Sequence, residues 1–190
     1  MNPRKITERV SLLGVIDWDR TIFDSLIPLP QGTSYNAYLL KGSEKTVLLD
    51  TVEPGKAYIL LNQLKDIDHI DYIVSHHAEQ DHSGTIPTIL EKYPMATVLT
   101  SEKAKPMLSD LMPELPADRI VIVQDGETVS LGDRTLKFVY TPWVHWPETM
   151  VSYLVEEKIL FSCDFFGAHL ATSNMYAGEE PFVLESNKQY

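Results

Sequence analysis

Cysteine is nearly absent from this chain of 190 residues. Cys163 is the single one, so no intrachain disulfide can form, and the composition fits a reducing compartment. Long apolar runs are missing as well. Nowhere do about 18 apolar residues follow one another, which excludes a helical membrane span. The apolar stretch 10–16 gives way at once to Asp17-Trp18-Asp19-Arg20, too short and too polar behind for a secretory signal, so residence in the cytoplasm is the expectation. Basic residues are scarce: 16 Lys plus Arg stand against 27 Asp plus Glu, a formal net charge of −11. So acidic a chain lacks the positive footprint that nucleic acid or an anionic lipid surface requires, and neither is expected as a partner. Internal repeats and low-complexity linkers are also lacking.

What is present is globular. Hydrophobic residues make up 44% and charged residues 23%, proportions of a chain that folds around a core rather than a disordered or fibrous one. The length fits one domain, 1–190. Short β-branched runs between turn signals predict strands over 10–17, 35–41, 46–50, 72–75, 96–100, 120–123, 136–140, 150–155 and 158–162. The last two read as a hairpin. Helical spacing appears over 55–64, 85–93 and 101–112, the third with Ser101 as a cap and Pro106 predicting a kink or a late start. Strands interspersed with helices predict a layered α/β arrangement. Beyond about residue 165 the signal fades, and 168–190 shows no clear strand or long helix.

The chemistry concentrates in three places. Directly after the predicted strand 72–75 comes Ser75-His76-His77-Ala78-Glu79-Gln80-Asp81-His82-Ser83-Gly84. Extended alternation would put 77, 79 and 81 on one side, and a tightening turn at 82 would bring that imidazole to a second metal. A solvated polar loop is the plain alternative. The second place is His145, between Trp143 and Trp146 and beside Pro142 and Pro147; alone, such a histidine is more often packed than ligating. The third is Asp164, between an apolar strand and two Phe. Buried there it needs a cation, which makes it a candidate to bridge two metals. Cys163 reads as a small buried hydrophobe, pointing away from Asp164 if the strand runs through both.

The motif HxExDH at 77–82, His145 in Thr141-Pro142-Trp143-Val144-His145-Trp146-Pro147-Glu148, and Asp164 in Leu160-Phe161-Ser162-Cys163-Asp164-Phe165-Phe166-Gly167 together resemble the diiron domain of flavodiiron proteins, within the metallo-β-lactamase superfamily. Gly32-Thr33-Ser34-Tyr35-Asn36-Ala37-Tyr38 and Phe166-Gly167-Ala168-His169 extend the resemblance over nearly the whole chain. Superfamily hydrolases typically carry HxHxDH and zinc. Glu79 at the third motif position supplies a hard anionic oxygen that suits iron better.

The resemblance implies an αββα sandwich of two similar halves, its C-terminal half incomplete here. It implies two irons, one held by His77, Glu79 and His145, the other by Asp81 and His82, with Asp164 bridging. The family's last ligand is a histidine from a later loop, and none follows His169. His169, His76 and His69 are conceivable substitutes, expected instead to line the pocket, to pack or hydrogen-bond, and to lie on the surface. A fragment, a longer gene or a completing chain would each account for this, and an uncovered apolar sheet face would follow. The implied activity is reduction of dioxygen to water, of nitric oxide to nitrous oxide, or both. Electrons would come from FMN in a flavodoxin-like domain absent here or from a donor such as rubredoxin, across a head-to-tail homodimer. Trp143, Trp146, Phe165 and Phe166 would form a dry pocket or pack in the core. A flavin-free diiron oxygen sensor and a dizinc hydrolase are the alternative readings.

Overall fold

The computed structural model describes residues 2–180 and Val183. Its larger sheet has seven strands, in the spatial order β1 (Arg4–Lys5), β2 (Val10–Asp17), β5 (Thr33–Lys41), β6 (Thr46–Leu49), β7 (Tyr72–Val74), β8 (Thr97–Thr100) and β9 (Ile120–Ile122). A small hairpin, β3 (Ile22–Phe23) with β4 (Ile27–Pro28), lies apart. The second sheet runs β10 (Thr128–Ser130), β11 (Thr135–Tyr140), β12 (Met150–Leu154) and β13 (Ile159–Phe161), all antiparallel.

Chain connectivity explains the mixed first sheet. β2, β5 and β6 pair antiparallel, the last two joined across a turn closed by Gly42 N–H donating to Lys45 O at 2.9 Å. From β6 onward the strands are parallel, which requires crossovers. These are α1 (Ala57–Gln63), then α2 (Gln80–Ser83) with α3 (Ile86–Lys92), then α4 (Ala104–Leu111). α4 starts late: Ser101 Oγ accepts the Ala104 N–H at 3.2 Å, and Pro106 falls in its first turn, where no N–H is needed.

Alternation along each parallel strand sorts its side chains between two cores. Leu48, Ile73 and Val98 join Leu60, Ile86, Ile89 and Leu108 beneath the helices. Val47, Leu49, Val74 and Leu99 face the other way, against Leu136, Phe138, Met150 and Leu154 of the second sheet. Being buried on both faces, the central strands read as unbroken apolar runs. Gly14 marks a close approach: its φ is +105°, and a Cβ there would lie 2.0 Å from Tyr35 O. The Gln63 side chain bonds both the N–H and the carbonyl of Gly14, docking the end of α1 onto β2.

The layers are thus helix, sheet, sheet, as expected for three layers of the αββα plan. On the outer face of the second sheet, Val139, Val155 and Leu160 are 36%, 42% and 47% exposed, and no helix among the described residues covers them. Residues 168–180 hold a single 3₁₀ turn, Ala177–Glu179; the rest of the featureless stretch ending at 190, apart from Val183, lies outside the described residues. None of the helices is long and apolar enough to cross a membrane among the described residues.

Candidate metal centre

The site forms where several strands end on one rim. β6 ends before Asp50, whose φ of +54° turns the chain out of the sheet. β7 runs into His76 and His77, β11 into the 141–149 loop, and β13 into Ser162 and its neighbours. Such strand ends are where layered α/β folds gather functional side chains. After Glu79, still extended at φ −61° and ψ 147°, the chain turns at once into α2. The expectation of an extended loop up to residue 81 is corrected here: Asp81 and His82 sit on a helical turn.

All six predicted residues converge. His77 Nε2 lies 3.1 Å from Glu79 Oε2 and 3.2 Å from His145 Nε2. His145 Nε2 lies 3.4 Å from Glu79 Oε2 and 3.4 Å from Asp164 Oδ2. The other oxygen, Asp164 Oδ1, is 2.9 Å from His82 Nε2, and Asp81 Oδ2 is 3.6 Å from the same nitrogen. The Asp164 carboxylate therefore stands between the His77/His145 pair and His82. One donor atom each from His77, Glu79, His145 and Asp164 fall within 4.8 Å of one another.

Charge follows this geometry. Burial favours the neutral acid at Asp81, and the nearby Asp164 and Glu79 carboxylates add to it, pushing Asp81 up to about 6. At Glu79 burial is overcome by hydrogen bonds from His145 and His77, which hold it down to about 2. Asp164 is likewise held well below the usual carboxylate range, by His82 and His145 against the pull of burial. His145 rises to about 9 through its bonds to Asp164 and Glu79. Burial works against the charged forms of His77 and His82, yet both are raised, His77 by Glu148 and Glu79, His82 by Cys163, Asp81 and Asp164.

The donor set fits a cation. His77 is fully buried, and its Nδ1 meets the Glu148 carboxylate at 2.6 Å. An ionised carboxylate can only accept, so Nδ1 keeps its proton, and when the ring gives up the Nε2 proton its lone pair faces the cluster. Asp81 Oδ1 is shut off from solvent without a hydrogen-bond partner, an arrangement that costs free energy unless a cation completes it. A cavity of about 120 Å³, lined by Asp50, Asp81, His82, Cys163, Asp164 and His169 among others, opens beside these atoms.

Several expectations need adjusting. Cys163 does not point away from Asp164: β13 stops at Phe161, and Cys163, at φ +52°, lies in a turn. Its Sγ is 3.5 Å from His82 Nδ1 while Asp164 takes Nε2, so the two side chains flank one ring. Burial pushes the thiol up to about 12. Trp143 and Phe166 neither pack in the core nor seal a pocket, being 70% and 74% exposed; of the two tryptophans only Trp146 meets the cluster, its ring edge-on to His77 at 5.0 Å. His76 hydrogen-bonds as expected, to Asp50 Oδ2 at 2.9 Å and Ser152 Oγ at 2.8 Å. His169 lines the cavity, 3.0 Å from Thr33 Oγ1, and His69 is exposed.

Sequence reasoning missed Glu148, Asp50 and Asp24. The first two are acids at the boundary of an apolar strand, the same signal that singled out Asp164. Asp24, at the tip of the β3–β4 hairpin, gave none; burial and the neighbouring Glu79 raise its pKa.

Two stacked sheets with histidines and carboxylates converging on one rim define a metallo-β-lactamase-like domain with a cluster of side chains that could hold a metal ion. The sequence matches a family model described as ODP family beta lactamase over residues 33–187. The chain belongs to that family, and its relatives are flavodiiron proteins. It is 40% identical to a nitric oxide reductase of Moorella thermoacetica over 90% of this chain and 43% of that protein. The solved rubredoxin oxygen:oxidoreductase of Desulfovibrio gigas superposes with a TM-score of 0.94 at 35% identity, over 100% of this chain and 48% of that one. The flavodiiron protein of Giardia intestinalis gives 0.91 at 33% identity, over 100% and 47%. The chain spans less than half the length of the curated relatives it matches.

Proposed function

We propose that this chain is the diiron-holding domain of a cytoplasmic oxidoreductase that reduces dioxygen to water, nitric oxide to nitrous oxide, or both. The observation that carries the reading is the convergence of three imidazoles and three carboxylates, with Glu79 where a zinc hydrolase typically has histidine. His77, Glu79 and His145 would hold one iron, Asp81 and His82 the other, with Asp164 between them. When bound, the pair would supply two electrons on passing from diferrous to diferric, enough to join two nitric oxide molecules into nitrous oxide and water, whereas dioxygen needs four. The chain's own residues supply position: Glu148 and Trp146 hold His77 in place, and the cavity beside Asp81, His82 and Asp164 leaves room for a small ligand. Electrons would come from FMN in a flavodoxin-like partner or domain, or from a rubredoxin, within a head-to-tail homodimer.

Elemental analysis of protein grown with ample iron and purified without oxygen tests this. About two irons per chain are expected. Consumption of nitric oxide or dioxygen should then appear only when a reduced flavin donor is added. A protein that takes up zinc in preference to iron and turns over esters would refute the reading.

A further inference from the structure

We propose that Glu148 is the positioning residue of the centre: it holds His77 with Nε2 turned toward the metal position and so sets how tightly the chain binds metal. This rests on reading the cluster as a metal centre, and it concerns a residue outside the six that would touch the ions.

The geometry leaves Glu148 little freedom. Its side chain is fully buried, and Oε1 receives both the His77 Nδ1–H at 2.6 Å and the Ala78 N–H at 3.1 Å. Oε2 is buried without a partner, so the carboxylate's hydrogen bonding is spent on the segment that carries the ligands. Its backbone is anchored as well: Ser101 Oγ–H donates to the Glu148 carbonyl at 2.6 Å while Oγ caps the Ala104 N–H. The ring it holds is flanked by Trp146, whose edge-on packing opposes rotation. One nine-residue loop between β11 and β12 thus presents His145 and orients His77. Asp50 has no equal claim on His82, since its nearest oxygen is 3.8 Å from Nδ1, beyond hydrogen-bond reach.

A carboxylate accepting the far N–H of a ligating imidazole fixes its tautomer and raises its basicity, and losing such a partner commonly weakens metal affinity by about 10–100-fold. The test is competition titration of Co²⁺ against a chromophoric chelator, on the parent chain and on Glu148→Ala, Glu148→Gln and Ser101→Ala, with the His77 tautomer read by ¹⁵N NMR of metal-free protein at alkaline pH. Glu148→Ala should bind Co²⁺ about 10–100-fold more weakly and lose the pure Nδ1–H tautomer. Glu148→Gln should fall between, because its amide oxygen still accepts the proton, and it remains informative if the alanine variant folds poorly. Ser101→Ala, which loosens the Glu148 backbone and keeps its carboxylate, should weaken binding less than Glu148→Ala does. Equal affinity in parent and Glu148→Ala, an Nε2–H tautomer in the parent, or an equal loss in Ser101→Ala would overturn the inference while leaving the metal centre standing. A parent chain that takes up no Co²⁺ would instead overturn the metal-centre reading and this inference with it.

Discussion

Replacing Asp164 with alanine should empty the centre, lowering iron from about two per chain to less than about one and reducing donor-dependent gas consumption to background. The reason is placement. Among the described residues, Asp164 is the acid whose two oxygens reach both halves of the cluster, Oδ1 at 2.9 Å from His82 and Oδ2 at 3.4 Å and 3.7 Å from His145 and His77. Every other predicted ligand serves one side. Without Asp164, Glu79 stays beside His77 and His145 and Asp81 beside His82, but no carboxylate spans the two sides, and a second ion would feel the first unscreened. Asp164→Asn, which keeps the shape and loses the charge, should retain at most a single ion. Anaerobic purification followed by elemental analysis of parent and both variants decides it; two irons retained in the alanine variant would show that the two sides are held independently.

The second large effect is a pH dependence that changes with metal. In metal-free protein His77, His82 and His145 have raised pKa values, His145 to about 9. A base whose pKa is higher folded than unfolded stabilises the fold below its unfolded value and loses that contribution as pH climbs through the folded one. Stability of the chelator-treated chain should therefore fall between about pH 6.5 and 9. His145 is 37% exposed, so solvent screening holds its share to about 1 kcal/mol; the buried His77 and His82 add to it. On the acid side Glu79, held to about 2, and Asp164 contribute stability above the ordinary carboxylate range and lose it as pH falls, while Asp81, pushed up to about 6, works the other way. Metal reverses the alkaline limb, because ligation requires neutral imidazoles and proton competition fades as pH rises. Thermal melts of metal-free and metal-loaded protein across pH 6–9.5 should diverge steadily; parallel curves would mean that these histidines carry no linked protons.

Much of this molecule is legible in its sequence. The strand predicted over 10–17 is β2 to the residue, and every other predicted strand has its counterpart, offset by at most two residues at an end. What escaped was structure imposed from outside the segment. β1 and β10 are Arg4–Lys5 and Thr128–Ser130, with no apolar pattern of their own, and they are strands because β2 and β11 offer them a register. The division of strands between two sheets was hidden for a related reason: central strands buried on both faces do not alternate in sequence. The six residues of the cluster were readable because acids and histidines are costly at strand ends without a role. Their supports were harder to see. Glu148 stands at a strand boundary as Asp164 does, but no sequence spacing ties it to His77, and Cys163 does not follow strand alternation because β13 ends at Phe161.

Trp146 gives the centre its own optical gauge. Its indole stands 5.0 Å from the His77 ring, while Trp18 and Trp143 are 62% and 70% exposed. Light absorbed by the inner indole is released beside the metal position, and that of the outer two beside water. A redox-active ion at His77 would drain the excited state of the near indole and leave the blue-shifted part of the emission dim. Colour alone, without label or substrate, would then tell a filled molecule from an empty one.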